Sequence, residues 1–132
     1  MTTVLETPEE FARRFGQLWG ARDADGLAAL MAEDASFLSL TGGFADGRKA
    51  IIALLKGEMS GVFSKSRLVT GKSRQRPISA ETSILYQRFV LSGLIDAEGS
   101  DMGRVGAMVI AVLTRRSDGW QAESLQFSAV EA

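Results

Sequence analysis

Val105-Gly106-Ala107-Met108-Val109-Ile110-Ala111-Val112-Leu113 decides the fold. None of these residues places a polar side chain on either face, whereas an antiparallel strand with one face in water should alternate. Both faces of this strand must therefore be covered. Downstream, Ser117-Asp118-Gly119 is a hairpin turn signal leading into Trp120–Val130. Upstream, the segments 67–75 and 82–94 are also rich in β-branched and aromatic residues, and they are punctuated by Ser92-Gly93 and the stretch 96–103. Four strand segments in succession predict an antiparallel meander.

The first half has helical spacing. Thr7-Pro8-Glu9-Glu10 has the form of a capping box, with the Thr7 hydroxyl placed to accept from the Glu10 amide. Phe11, Phe15, Leu18 and Trp19 then form one apolar stripe on a helix running to about Arg22. Asp23 or Asp25 can cap a short second helix that carries Leu27, Leu30 and Met31 and ends near Glu33. Ala35–Leu40 suits a strand broken by Thr41-Gly42-Gly43, and a third helix is expected from Gly47 to about Gly61. The order ααβαββββ predicts an α+β class: a curved antiparallel sheet with three N-terminal-half helices packed on its concave face, a cone with an interior pocket. One domain, 1–132, accounts for the chain, since no linker or internal repeat divides it.

Of the 132 residues, 45% are hydrophobic and 23% charged, and 15 basic residues balance 16 acidic ones for a net charge of -1. No strong field draws the chain to nucleic acid or an anionic membrane. The absence of Cys and His removes thiol nucleophiles, imidazole relays and the usual zinc ligand sets, so no metal or cofactor is expected. No glycine-rich dinucleotide fingerprint follows a predicted strand. The N-terminal residues lack the features of a signal peptide, and a cytoplasmic location is expected.

The chain resembles the SnoaL-like and SgcJ/EcaC-type members of the nuclear-transport-factor-2-like superfamily of cystatin-like α+β folds. The resemblance is carried by Trp19-Gly20-Ala21-Arg22-Asp23-Ala24-Asp25, Leu30–Phe37, Gly43–Ile51 and Asp118-Gly119-Trp120. It implies a pocket for bulky apolar molecules between helices and sheet. It also implies that Trp120, Ala122, Ser124, Gln126 and Ser128 face that pocket. The expected ligand wall is Phe15, Trp19, Phe37, Gln87, Gln126 and Ser128, with Leu85, Gln87 and Phe89 turned inward and Tyr86 and Arg88 outward.

Ketosteroid isomerase chemistry needs a carboxylate base and two neutral acids at an oxyanion. Overlaying that pattern places Phe15, Ser39 and Ala111 at the three positions, none with the required group. Asp34 remains as a lone carboxylate, more readily read as a local turn partner. The basic run Lys65, Arg67, Lys72, Arg74 and Arg76 reads as a solvated or intersubunit strand face rather than an anion site. Met31, Met59, Met102 and Met108 read as core or interface packing.

Two functions stand at this level. The first is a small-molecule-binding SnoaL-like protein with an apolar pocket, including an enzyme acting on a hydrophobic polyketide-like or steroid-sized compound. The alternative is a noncatalytic ligand-binding or dimerisation module. The sequence decides neither for nor against catalysis. A homodimer is expected through the convex sheet face, where Met108, Ile110 and Val112 would otherwise meet water.

Overall fold

In the computed structural model, which describes residues 5–117 and 119–131, Phe11, Phe15 and Trp19 are buried along one side of α1 (Glu10–Gly20). The Asp118 position of the expected turn and the first four residues lie outside the described set. Only one half of the expected capping box forms. The Glu10 carboxylate accepts from the backbone N–H groups of Glu6 and Thr7 at 2.9 and 2.8 Å, and the Thr7 hydroxyl donates to it instead of capping the Glu10 amide. These bonds hold the Glu10 carboxyl below its ordinary pKa. Asp23 caps α2 (Ala24–Ala29) by accepting from Gly26 N–H at 2.8 Å. Gly47, at φ 87°, gives entry to α3 (Arg48–Met59).

The strands are β1 (Met31–Leu38), β2 (Phe44–Asp46), β3 (Arg67–Ser79), β4 (Thr82–Ser92), β5 (Val105–Arg116) and β6 (Gly119–Val130). They form one six-stranded sheet in the order β2-β1-β6-β5-β4-β3. Every pairing is antiparallel except β1 with β6, which is parallel and makes the sheet mixed. The second helix stops at Ala29, short of the expected Glu33, because β6 captures the chain. Ala122 N–H donates to Leu30 C=O at 3.0 Å, and Met31 pairs with Ala122. β3 continues past the expected Gln75 through Pro77, which an edge strand tolerates because its outer side needs no ladder donor.

The main departure from the expected geometry lies in β6. Val112 pairs with Ser124 but Leu113 pairs with Ala122, so Glu123 is an extra residue in the ladder, a β-bulge. One inserted residue reverses the side-chain alternation. Trp120 and Ala122 face inward before the bulge, and Leu125 and Phe127 face inward after it. Gln126 and Ser128 are consequently exposed on the opposite face, a correction to their expected place in the pocket wall. The Glu123 carboxylate accepts from the Thr114 hydroxyl at 2.7 Å and from Arg116 Nε at 2.8 Å. Burial opposes ionisation of Glu123, but these hydrogen bonds and the arginine charge together outweigh it and leave the carboxyl below its ordinary value.

The inner face of the sheet and the three helices share one core. Phe15 lies 6.0 Å, centroid to centroid, from both Phe89 and Phe127, and Trp19 lies 4.9 Å from Phe63 and 5.4 Å from Phe127. Leu85, Gln87 and Phe89 of β4 point into this core, as their alternation predicts. Where β4 ends, Gly93 at φ +76° crosses the segment preceding β3 so closely that an added Cβ would lie 2.2 Å from Lys65 C=O.

Two outcomes are expected. Gly93→Ala should lower stability by at least about 2 kcal/mol, since left-handed backbone strain and a backbone clash add. A urea midpoint equal to wild type would contradict the crossing geometry. Glu123 has a depressed folded pKa, so its contribution is present above the unfolded value of about 4.3 and is lost as pH falls through the folded one. Glu123→Gln should flatten that part of the acid limb in urea titrations, by less than about 1 kcal/mol for so accessible a pair. An equally steep acid limb in the variant would show that the bulge pair contributes nothing.

Candidate binding sites

The residues expected to form one pocket wall do not come together around a cavity. Phe15, Trp19 and Phe37 are buried in the core, and Gln126 and Ser128 lie on the outer face. Trp19 and Phe63 close one end, where Trp19 Nε1 donates to the Ser66 hydroxyl at 2.9 Å. The seam among Phe11, Phe15, Leu85, Phe89 and Val109 has about 0 Å³ of room for a water molecule. Aromatic side chains thus occupy the space where the resemblance implied a ligand.

Of the isomerase positions, Phe15 and Ala111 are core residues, while the Ser39 hydroxyl donates to the buried Glu58 carboxylate at 2.7 Å. The Thr41 hydroxyl donates to the other oxygen of Glu58. This carboxylate ties the β1–β2 turn to α3, a partnership not foreseen from the sequence. Its only hint was an acid on the apolar side of the third helix. Asp34 is exposed beside a polar cleft of about 650 Å³ lined also by Ala32, Glu33, Arg48, Arg116, Ser117 and Gln121. Among the described residues no group of three or more acidic side chains could hold a metal ion. No helix in this set is long and apolar enough to cross a membrane.

Gln87 is 2% exposed and sits under a groove of about 570 Å³ between α1 and β3. Ala12 and Gly16, one helical turn apart, and Leu68 line it, with Glu9, Arg13, Gln17, Thr70 and Ser73. The Gln87 amide nitrogen donates to Gly71 and Arg88 C=O at 3.0 and 2.8 Å and approaches Lys72 C=O at 3.4 Å. Carbonyls only accept, so these contacts fix the amide's orientation. Gln75 Nε2 donates to Pro8 C=O at 3.0 Å, fastening β3 to the start of α1. The groove was legible only as a pair of small residues off the aromatic stripe.

The outer face presents Ile84, Tyr86 and Val90 of β4, Met108, Ile110 and Val112 of β5, and Leu38 of β1, all partly exposed. Toward the edges, Phe44 on β2 is 62% exposed and Val69 on β3 is 57% exposed. Charge on this face is divided. Arg74 and Arg76 pair opposite Tyr86 and Ile84 at the β3 edge, with Arg74 lying 5.7 Å over the Tyr86 ring. Asp46 stands at the β2 edge, accepting from the Ser36 hydroxyl at 2.6 Å. Tyr86 and Arg88 are thus outward, and Arg88 donates to Glu131 C=O at 2.6 Å.

No protein-family model matches the sequence, and no curated protein is significantly similar to it. Solved structures match in fold. An uncharacterised cystatin-like protein from Caulobacter vibrioides superposes with TM-score 0.84 at 14% identity, over 93% of this chain and 87% of that one. A nuclear-transport-factor-2-like protein from Novosphingobium aromaticivorans gives 0.75 at 21% identity, over 93% and 79%. A Xanthomonas campestris protein provisionally described as a calcium/calmodulin dependent protein kinase II association domain gives 0.76 at 16% identity, over 98% and 96%. The chain therefore has the cystatin-like, nuclear-transport-factor-2-like fold.

Proposed function

We propose that this chain is a noncatalytic module that pairs two copies of itself through the outer face of its sheet. The observation that carries this reading is the disposition of apolar surface: the interior is filled by its own aromatics, while Met108, Ile110 and Val112 remain partly exposed in the middle of the opposite face. A soluble chain rarely leaves so continuous a patch in water.

Charge supports the same arrangement. With a two-fold axis running along the central strands, β3 of one copy lies over β2 of the other, so Arg74 and Arg76 meet the partner's Asp46 at both ends of the interface. Burial of the three β5 side chains at about 25 cal/mol per Å² contributes several kcal/mol before association entropy is subtracted. The likeness to a structure described as an association domain agrees with this reading. The reading of an interior small-molecule pocket loses its main support, because the space it needs is occupied by Phe15, Phe89 and Phe127.

Sedimentation equilibrium at low-micromolar concentration should give twice the 14.2 kDa chain mass for wild type and a monomer for Ile110→Lys. Arg74→Asp should weaken the dimer, and adding Asp46→Arg should restore it. A wild-type protein that remains monomeric, or an Ile110→Lys protein that remains fully dimeric, would refute the proposal.

A further inference from the structure

We propose that the paired outer faces bind a small oxyanion, such as phosphate, at Arg88, so that pairing and anion binding strengthen each other. The inference rests on the pairing proposed above and adds the ligand that regulates it.

Charge on the outer face does not balance. Alternation with the buried Leu85, Phe89 and Leu91 places Arg67, Arg74 and Arg76 of β3 and Arg88 of β4 on this side. Against them stand Asp46 and Glu123, and Glu123 is already held by Arg116. Among the described residues none of the four arginines forms an ion pair with a carboxylate. Asp46 shares a row across the sheet with Arg76, through Ser36, Ser124, Val112 and Ile84. A two-fold axis along the central strands keeps rows at the same height, so the Asp46 of each copy answers the Arg76 of the other.

Arg88 gains no such partner. β4 adjoins the central β5, and Arg88 pairs with Met108 in the row of Ser128, so contact through the apolar centre takes its guanidinium out of water. The same axis lays β4 over β1 of the second copy, which ends at Leu38, one row short of Arg88. Arg88 Nη2 donates to Glu131 C=O at 2.6 Å, but a carbonyl satisfies a donor without neutralising the charge. A buried cation without a counter-charge destabilises the state that buries it.

An oxyanion supplies what the second copy lacks. A guanidinium offers parallel N–H groups to two oxygens of one oxyanion. Tyr86, two residues along the same face, adds a phenolic donor, and Arg74 lies 5.7 Å over its ring. Thr70 pairs with Phe89 and Ser73 with Gln87, which leaves Gly71 and Lys72 opposite Arg88. A Gly71 Cβ would lie 3.3 Å from the Arg88 Cβ, so the glycine leaves that flank of the arginine bare, and Lys72 brings a further cation. Symmetry gives two equivalent sites per dimer.

The probe is inorganic phosphate at about 10 mM, compared with chloride at the same ionic strength so that general screening is equal. Sedimentation equilibrium of the whole chain should show phosphate tightening the wild-type dimer by about fivefold or more, as ordinary linkage allows. Arg88→Met, at an exposed position of the single chain, should pair in chloride at least as tightly as wild type. Phosphate should no longer change its Kd. An equal wild-type Kd in the two buffers would overturn the anion site and leave pairing intact, with Glu131 or the second copy supplying the charge. A phosphate effect of the same size in Arg88→Met would also overturn the site, reducing the effect to the general strengthening of apolar association by such salts. A wild type that is monomeric in both buffers would overturn the pairing and the site with it.

Discussion

The inserted residue Glu123 is the constraint on which the remaining structure depends. Without it, a strand beginning with Trp120 and Ala122 inward would continue with Ser124, Gln126 and Ser128 inward, and polar groups would face α1. With it, Leu125 and Phe127 replace them. Phe127 then meets Phe15, Trp19 and Phe89 at centroid distances of 6.0, 5.4 and 6.2 Å. Tilted and edge-on aromatic contacts of this kind add stabilisation beyond buried area. One bulge thus converts what would have been a polar-lined cavity into a packed core.

The consequence extends to the other side of the sheet. Gln126 and Ser128, displaced outward, border the apolar residues of β5 instead of lining a pocket. The outer face acquires an apolar centre with polar flanks and opposite charges at its two edges, a distribution resembling an interface with a rim. On the helix-covered side, the groove between α1 and β3 exposes helix backbone at Gly16 above the buried Gln87 side chain. Fold and function separate cleanly here, because the same sheet leaves its two faces with different chemistry.

Much of the architecture was legible because it follows from short-range periodicity. The aromatic stripe of α1, the apolar β5 and the inward set Leu85, Gln87 and Phe89 all follow from spacing alone. The mixed sheet was not legible, since the parallel pairing of β1 with β6 joins residues about ninety positions apart and no local pattern records it. The bulge escaped for a related reason: Glu123 was one more residue in an unbroken strand pattern. Two-residue alternation carries no mark of where an insertion falls, and every position after it was assigned to the wrong face. Interior volume was equally hidden, because the same phenylalanines can line a cavity or fill it.

The central claim is that Phe127 fills the interior rather than lining an existing hollow, and the stability of Phe127→Ala tests it most directly. If the core is packed, truncation should cost about 3–5 kcal/mol in urea unfolding. It should also open a cavity that takes up a small apolar probe such as benzene, which the wild type excludes. A loss below about 1 kcal/mol, together with benzene uptake by the wild-type protein, would mean that a pocket already exists and that the packed-core account is wrong.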